Sequence, residues 1–275
     1  MRRPPLLRPP YAVRAIGSAL AAGVALVGCR ADAAPSRGPG YQIVGRYPHD
    51  STAYTQGLVY DGGALYESTG QYGRSTLRRV DLESGAVEAS VSLASDRFGE
   101  GLALLDGRLY QLTWKSGIAY VYDATTLAPI DSIRYEGEGW GLTTDGSSLI
   151  LSDGTSRLRF LDPATFEVLR TLDVRFSSQS PVRSLNELEY VEGELFANVY
   201  QSDWILRIDP ATGVVKDVVD LVGIMPGYDA ASTDEFVLNG VAYDRATGHI
   251  LVTGKQWPLL FRLALDRRPG DPSTH

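Results

Sequence analysis

One carboxylate and one ammonium group are the residues of this sequence best suited to acid–base chemistry. Glu100 lies between two glycines in FGEGL, and an apolar run separates it from Trp114, 14 residues later. Lys255 lies in TGKQWP near the end of the chain. Aromatic neighbours would desolvate Glu100 and raise its pKa towards values that suit general acid–base catalysis. Lys255 nearby would lower that pKa, so the sequence leaves open a catalytic pair or a structural ion pair.

Other kinds of catalytic chemistry find little support in the sequence. Zinc sites need clusters of histidine and cysteine, and the chain has only His49, His249, His275 and Cys29. Calcium needs several convergent oxygens, and no glycine-rich phosphate loop opens a helix. A Ser-His-Asp triad lacks a well-placed histidine, because His249 falls in a turn and His275 is the last residue. We therefore expect neither a metal nor another cofactor.

The composition predicts an ordinary globular protein that does not bind nucleic acid. The 275 residues are 44% hydrophobic and 21% charged, with a net charge of −7. Nucleic-acid binders usually present a basic face, so we expect none as a partner. We also expect the protein to act as a monomer.

The N-terminal segment resembles a bacterial export signal. Residues 1–14 carry four arginines and no acid, and residues 15–27 are apolar but too short to span a bilayer comfortably. The sequence LVGC that follows resembles a lipobox ending at Cys29. We expect a lipoprotein signal peptide over 1–28, lipidation of Cys29, and a flexible tether over 29–40. The protein would then be exported to the periplasmic or cell-surface side, with the lipid as its membrane contact. An ordinary secretory signal with an incidental cysteine is the alternative.

A repeat of about 40 to 53 residues runs through the rest of the chain and predicts an all-β fold. Its five units begin at TQGLVYDGG, GEGLALLDG, GWGLTTDG, LNELEYVEG and LNGVAYDRATG. Each unit has the pattern of four strands, but the fifth lacks its last strand, and residues 41–48 form a strand without a unit. We predict a five-bladed β-propeller over 41–266, closed by the N-terminal strand and followed by a disordered tail over 267–275. A β-sandwich of unrelated hairpins is the alternative.

The repeat places its most variable positions at one mouth of the central channel. In each unit, position 2 meets position 16 at the open end of the first hairpin, or position 18 in the fifth unit, whose turn is two residues longer. The ten residues at these positions are Gln56, Glu100, Trp140, Asn186, Asn239, Gly70, Trp114, Gly154, Tyr200 and Lys255. We therefore expect Glu100 to face Trp114 across its hairpin. Aromatic walls with a few polar groups indicate a pocket, although a mouth that is merely wet and polar would be the simpler interpretation.

Six stretches at these positions resemble the plant and bacterial glutaminyl-peptide cyclotransferases. They are YPHDSTAYTQGLVY, FGEGL, EGWGL, LNELEY, ANVYQSDWI and TGKQWP, and the resemblance extends over residues 41 to about 264. It implies a five-bladed propeller that works without a metal. It also implies that N-terminal glutamine of peptides or proteins is converted to pyroglutamate, with release of ammonia.

The resemblance also implies a role for each site residue. Glu100 would carry the proton, and Lys255, Asn186 and Gln56 would hold the γ-amide and stabilise the oxyanion. The substrate-binding set would be Trp114, Trp140, Phe98, Tyr54, Tyr200 and Asn239. Tyr54 and Tyr200 stand where the plant enzymes commonly have phenylalanine and tryptophan. Trp204 and Trp257 lie beside these positions as packing or rim residues.

Two other functions remain open from the sequence. A lipid-anchored propeller could be a non-catalytic scaffold or ligand-binding protein, because propellers host many functions. A propeller lactone hydrolase is a weaker alternative, since it would need a metal-binding set of carboxylates.

Overall fold

The computed structural model describes residues 40–227 and 236–266, which form β-strands, turns and loops. The strands are β1 (Tyr41–Pro48), β2 (Thr55–Asp61), β3 (Ala64–Thr69), β4 (Thr76–Val80), β5 (Val87–Ser92), β6 (Gly99–Leu105), β7 (Arg108–Thr113), β8 (Ile118–Asp123), β9 (Pro129–Arg134), β10 (Leu142–Thr144), β11 (Leu149–Leu151), β12 (Arg157–Leu161), β13 (Val168–Asp173), β14 (Leu185–Val191), β15 (Glu194–Val199), β16 (Trp204–Ile208), β17 (Val215–Asp220), β18 (Leu238–Asp244), β19 (His249–Gly254) and β20 (Leu259–Leu265). Within these ranges no helix is long and apolar enough to cross a membrane. The predicted signal peptide, Cys29 and the predicted tail lie outside the described residues, as does the tether up to residue 39.

The strands form five antiparallel four-stranded sheets, which are the five blades of a β-propeller. Blades 1 to 4 are each built from four consecutive strands, beginning with β2, β6, β10 and β14. Blade 5 has the order β1-β20-β19-β18, so the N-terminal strand is its outer strand. The register runs from Tyr41 opposite Leu265 to Pro48 opposite Leu259. The predicted fold and its closure by the N-terminal strand are therefore confirmed.

Short turns with positive φ connect the first two strands in three of the blades. Asp106 and Gly107 have φ angles of 49° and 72°, and they join Leu105 to its hairpin partner Arg108. Positive φ at both central residues is the mark of a type I′ turn, whose twist matches that of the strands. Gly62-Gly63 and Glu192-Gly193 have the same pattern in blades 1 and 4. These turns lie at the end of each blade opposite the predicted site.

The first strands of neighbouring blades lie in contact around the central axis. A glycine occupies the third repeat position in four blades, at Gly57, Gly101, Gly141 and Gly240. At Gly57, Gly101 and Gly141 an added Cβ would overlap the backbone of the next blade. Close approach of two backbones is a common reason for glycine within a strand, and here it brings the five site-bearing strands together.

Blade 4 has Glu187 at this position, and its carboxylate fills the centre. Glu187 is fully buried and accepts hydrogen bonds from the backbone amides of Leu58 at 3.1 Å and Val241 at 2.9 Å. Burial raises its pKa well above the ordinary value, and neighbouring Glu189 adds to the effect, whereas the two amides oppose it. Glu187 thus joins blade 4 to blades 1 and 5.

Candidate functional site

A cavity of about 210 Å³ opens at the end of the blades opposite the type I′ turns. Its lining residues are Tyr54, Gln56, Phe98, Glu100, Trp114, Trp140, Asn186, Tyr200 and Lys255. Nine of the ten predicted catalytic and substrate-binding residues are therefore brought together, from all five blades. The cavity is smaller than the 300–1,000 Å³ typical of pockets for drug-sized ligands, so its size suits one residue at the end of a chain.

Glu100 enters this cavity from a β-bulge. Gly99 pairs with Thr113 and Leu102 pairs with Gln111, so the register shifts between them and leaves Glu100 and Gly101 in the bulge. Similar shifts occur at the starts of β2, β14 and β18. Bulges are known to re-aim side chains beside active sites, and here they fall on the residues at repeat position 2.

The register of blade 2 overturns the predicted pairing of Glu100 with Trp114. The Trp114 amide donates instead to the Phe98 carbonyl at 2.9 Å, and the two rings meet edge to face with centroids 5.6 Å apart. The turn pairs Leu105 with Arg108, so even an unbroken ladder would place Glu100 opposite Thr113, and the bulge shifts the pairing by one further residue. The Trp114 and Phe98 rings form one wall of the cavity, which Glu100 also lines.

The Glu100 carboxylate is nearly removed from solvent. The residue is 5% exposed, and its Oε1 accepts a hydrogen bond from Gln56 Nε2 at 2.9 Å. Burial raises the pKa of Glu100 well above its ordinary value, although the Lys255 charge lowers it and Glu138 raises it further. A carboxylate with a raised pKa can accept and return a proton near neutral pH.

Lys255 lies on the other side of the cavity, against two tyrosines. Its Nζ is 4.6 Å from the centre of the Tyr54 ring and 4.9 Å from that of Tyr200. Burial lowers its pKa to about 8, and the Glu100 charge opposes this shift. In the part of the chain that the structure describes, no direct ion pair joins Lys255 to Glu100. The two groups influence each other across the cavity, and the space between them is open to a substrate.

A chain of amides holds the Glu100 carboxylate in place. Asn239 donates through Nδ2 to the Thr55 carbonyl at 3.0 Å and to Gln56 Oε1 at 3.1 Å. The Thr55 carbonyl can only accept, so Asn239 presents its NH₂ group and Gln56 its oxygen. The NH₂ group of Gln56 is then left for Glu100. Asn239 is fully buried behind Gln56 and does not line the cavity, so it acts on the site through Gln56.

Asn186 brings an unused hydrogen-bond acceptor to the cavity. The residue is 3% exposed, and among the described residues no donor reaches its buried Oδ1. An unsatisfied buried carbonyl is unfavourable by about 1–3 kcal/mol, and an N–H group of a ligand would relieve this. The facing wall is made by Trp140 and Tyr200, whose rings meet edge to face at 5.9 Å.

Glu138 is a carboxylate outside the cavity lining that contacts two of the lining indoles, and the repeat analysis did not find it. Its Oε2 accepts hydrogen bonds from the indole N–H groups of Trp114 at 2.8 Å and Trp140 at 3.0 Å. Lys115 Nζ lies 3.8 Å from its other oxygen and 3.8 Å from the centre of the Trp114 ring. Glu138 lies two residues before Trp140, outside the aligned positions, so only its place within EGWGL could have drawn attention to it.

Three further observations complete the description of the site. Trp257 is fully buried and Trp204 packs against the core of blade 4, so both are packing residues. Residues 40–227 and 236–266 contain no group of three or more His, Cys, Asp or Glu side chains that could hold a metal ion. A larger groove of about 540 Å³ lies at the opposite end of blades 4 and 5, around their hairpin turns, and shares no lining residue with the cavity.

Comparisons with known proteins point to one enzyme family. Residues 17–265 match the family model described as glutamine cyclotransferase. A glutaminyl-peptide cyclotransferase of Arabidopsis thaliana is 42% identical over 227 residues, which cover 82% of this chain and 71% of the plant protein. The crystal structure of Myxococcus xanthus glutaminyl cyclase superposes with a TM-score of 0.76 at 40% identity. That match covers 82% of this chain and 96% of the Myxococcus chain.

Proposed function

The chain belongs to the glutamine cyclotransferase family, and from that premise we propose that Glu100 drives the conversion of N-terminal glutamine to pyroglutamate without a metal ion. The substrates are peptides or proteins that begin with glutamine. The α-amine attacks the carbonyl carbon of the γ-amide, a ring C–N bond forms, and ammonia leaves. The observation that carries the proposal is a desolvated, hydrogen-bonded carboxylate in a small aromatic cavity, opposite one lysine.

Glu100 moves the proton in this proposal. Its raised pKa lets it take a proton from the attacking nitrogen and pass the same proton to the leaving nitrogen, so that the departing group is ammonia. The Gln56 hydrogen bond directs one carboxylate oxygen and leaves the other for the substrate. Because the attack is intramolecular, a cavity that holds the glutamine side chain folded back on its own amine supplies much of the acceleration.

Lys255 and Asn186 hold the reacting amide. When the α-amine attacks, negative charge develops on the γ-carbonyl oxygen, and a preorganised cation or N–H donor lowers that barrier by about 3–4 kcal/mol. Lys255 supplies the charge as long as it is protonated. The unsatisfied Oδ1 of Asn186 accepts an N–H from the substrate amide. Trp114, Trp140, Phe98, Tyr54 and Tyr200 form the walls around the folded glutamine.

Metal independence follows in this proposal from the chemistry of the lining. The cavity offers one carboxylate, one ammonium group and two amides among nine lining residues, whereas catalytic zinc sites take three His, Cys or carboxylate ligands. Proton transfer by Glu100 and charge stabilisation by Lys255 cover the tasks that a metal ion would perform.

An ammonia-release assay tests this proposal. The full chain is incubated with a glutaminyl peptide in excess EDTA, and full activity after chelation is expected. Activity that disappears with EDTA and returns with added zinc would overturn metal independence. Glu100→Gln is expected to lower kcat about 100- to 10,000-fold, and Glu136→Gln, at an exposed position between β9 and β10, is the control. Wild-type turnover in Glu100→Gln would remove Glu100 as the proton carrier, and absence of turnover in the unmodified protein would favour a binding protein.

The site of action is proposed from the sequence. The signal-like segment 1–28 and the lipobox-like LVGC support export and attachment through a lipid on Cys29. We propose that the enzyme works as a monomer at the membrane surface. Incorporation of a labelled fatty acid into the wild-type protein but not into Cys29→Ser tests the anchor, and equal labelling of both proteins would exclude it.

A further inference from the structure

A buried group of charged residues joins the segment before β2 to strands β3 and β4 of blade 1, and it contacts the loop that follows Lys255. His49 directly follows β1, Glu67 is on β3 and Arg78 is on β4. The side chains of His49 and Glu67 are 3% and 1% exposed. Given the proposed function, we propose that His49 in its protonated form, paired with Glu67, is a positioning residue that fixes the loop of Lys255.

The two neighbours of His49 require both ring nitrogens to donate. Nδ1 lies 2.6 Å from the carbonyl oxygen of Trp257, and Nε2 lies 3.0 Å from Glu67 Oε1. A carbonyl and an ionised carboxylate have no proton to give, and a neutral imidazole has only one N–H. Both contacts are satisfied together only by an imidazolium ion. His49 therefore connects Glu67 in blade 1 to the loop between β19 and β20 as a cation.

Glu67 is held in its ionised form by three donors. Thr55 Oγ1 donates to Oε1 at 2.6 Å, and Arg78 Nε donates to Oε2 at 2.8 Å, in addition to the contact with His49. Burial alone would raise the pKa of Glu67, but His49, Arg78 and Thr55 lower it to about 2. The pKa of His49 is lowered by burial and by the Arg78 charge, but Glu67 and the Trp257 carbonyl raise it by more. The pKa of His49 is therefore higher than its ordinary value. Asp50 completes the group by accepting from Arg78 at 2.8 Å.

The loop held by His49 has a backbone that needs support. Gln256, which directly follows Lys255, has a φ angle of +60°, in the region where residues other than glycine are strained by about 1–3 kcal/mol. Its amide donates to the Ala53 carbonyl at 2.6 Å, and the His49 amide donates to the Pro258 carbonyl at 2.9 Å. Together with the imidazolium, these bonds hold residues 256–258 against the segment before β2.

The same group also reaches the strand that carries Gln56. Thr55 donates to Glu67 through its side chain and accepts from Asn239 through its carbonyl. Gln56 follows Thr55, which is bonded to Glu67, and Lys255 lies two residues before Trp257, which is bonded to His49. The His49–Glu67 pair is therefore connected to both sides of the cavity. Loss of the imidazolium is expected to release the strained loop and to move the Lys255 ammonium group.

The test replaces His49 by glutamine and follows both turnover and the ionisation of Lys255. His49→Gln is expected to lower kcat about tenfold with less than about a twofold change in KM. The chain has three lysines, so the ¹³Cε signal of Lys255 can be assigned with Lys255→Arg. In wild type it is expected to titrate near the pKa of about 8, and in His49→Gln nearer the ordinary lysine value. The matched control is His249→Gln, at the start of β19 and at the opposite end of the blade.

The outcomes distinguish positioning from mere stability. A folded His49→Gln protein with unchanged kcat and an unchanged Lys255 titration would overturn the proposal, as would a loss of kcat that only matches the unfolded fraction. If the variant does not fold, ¹⁵N spectra of wild type decide, because His49 is expected to show two protonated ring nitrogens at pH 7. A neutral tautomer there would also overturn it. These spectra and the Lys255 titration need no turnover, so failure of the proposed activity would leave them interpretable.

Discussion

Gln56 donates a 2.9 Å hydrogen bond to the carboxylate of Glu100, and the direction of this bond is set from outside the cavity. Asn239, which is itself buried, donates to the carbonyl oxygen of Gln56 and to the backbone of Thr55. The orientation of the Gln56 amide is therefore built into the junction of blades 5 and 1. Such preorganisation lets a carboxylate keep its position while its charge changes.

Gln56→Leu tests this relationship. The leucine cannot donate to Glu100, so the ionised carboxylate loses a partner and its pKa is expected to rise further, because hydrogen bonds to the charged form stabilise it. We expect kcat at pH 7 to fall about 10- to 100-fold and the acid limb of the rate profile to move to higher pH. Gln42→Leu, on an exposed position of β1, is expected to behave as wild type. An unmoved acid limb in Gln56→Leu would show that the bond does not tune Glu100.

The pH dependence of kcat is expected to be bell-shaped. Glu100 must be ionised to take the proton, so the rate rises with pH through its raised pKa. Lys255 must be protonated to stabilise the oxyanion, so the rate falls as pH rises through its pKa of about 8. Because the two groups interact, the limbs report the pair rather than either residue alone.

Lys255→Arg identifies the alkaline limb. Arginine stays charged throughout the accessible range, so the fall near pH 8 is expected to disappear, even if kcat at pH 7 drops because the head group is larger. The substrate α-amine titrates near 7.7–8.0, so wild type and variant are compared on the same peptide. An alkaline limb that persists unchanged in Lys255→Arg would show that the titration of Lys255 does not cause it.

Glu138→Ala tests the carboxylate that accepts from both indoles. Without it, Trp114 and Trp140 lose a shared acceptor, and the aromatic walls of blades 2 and 3 are free to move apart. We expect KM to rise about tenfold with kcat changed less than about threefold, since the walls bind the glutamine but do not transfer protons. A shift in tryptophan fluorescence is expected to accompany the change. Glu136→Ala is the control, and an unaltered KM in Glu138→Ala would contradict the role.

Glu67→Gln tests the buried charge group through stability. The pKa of Glu67 falls from about 4.5 to about 2 on folding. A lowered pKa adds stability that is present above the unfolded value and is lost as pH falls towards the folded value. Removing the charge leaves His49 without a counterion and Arg78 with Asp50 alone, which destabilises by about 3–5 kcal/mol at pH 7.

Urea unfolding at pH 7 and at pH 3 measures this effect. The difference in unfolding free energy between wild type and Glu67→Gln is expected to shrink at the lower pH. Glu88→Gln removes the half-exposed partner of Arg79. This control is expected to change the free energy of unfolding by less than about 1 kcal/mol at pH 7. A difference between wild type and Glu67→Gln that is the same at both pH values would contradict the assigned ionisation.

The fold could be predicted from the sequence because it repeats. Five units of similar strand and turn pattern specify five similar sheets, and the missing outer strand of the fifth unit requires the strand at 41–48. The repeat also identified the positions that meet at the channel mouth. Variation of residue type at positions that are structurally equivalent indicated a pocket, and Gln56, Glu100, Trp140 and Asn186 all line it.

The contacts within the site could not be predicted in this way. The bulge at Glu100 shifts the ladder by one residue, so Trp114 pairs with Phe98 rather than with Gly99, and a count along an ideal hairpin does not reveal that shift. Asn239 occupies an equivalent repeat position but does not line the cavity, and it donates a hydrogen bond to Gln56, which does. Glu138 and Glu67 belong to no aligned position of the first strands, and their roles depend on which indoles and cations lie near them.

The sequence by itself thus determined the number of blades, the way the ring closes and the set of residues at one end of the channel. Those features follow from local strand and turn patterns that are repeated along the chain, and such patterns can be recognised from the amino-acid sequence. Only the tertiary structure decided which atoms meet: Glu100 with Gln56, Glu138 with two indoles, and His49 with the carbonyl of Trp257, 208 residues away. Such pairs depend on small displacements between blades distant in sequence, and hydrogen bonds and pKa values change over distances of an ångström or less.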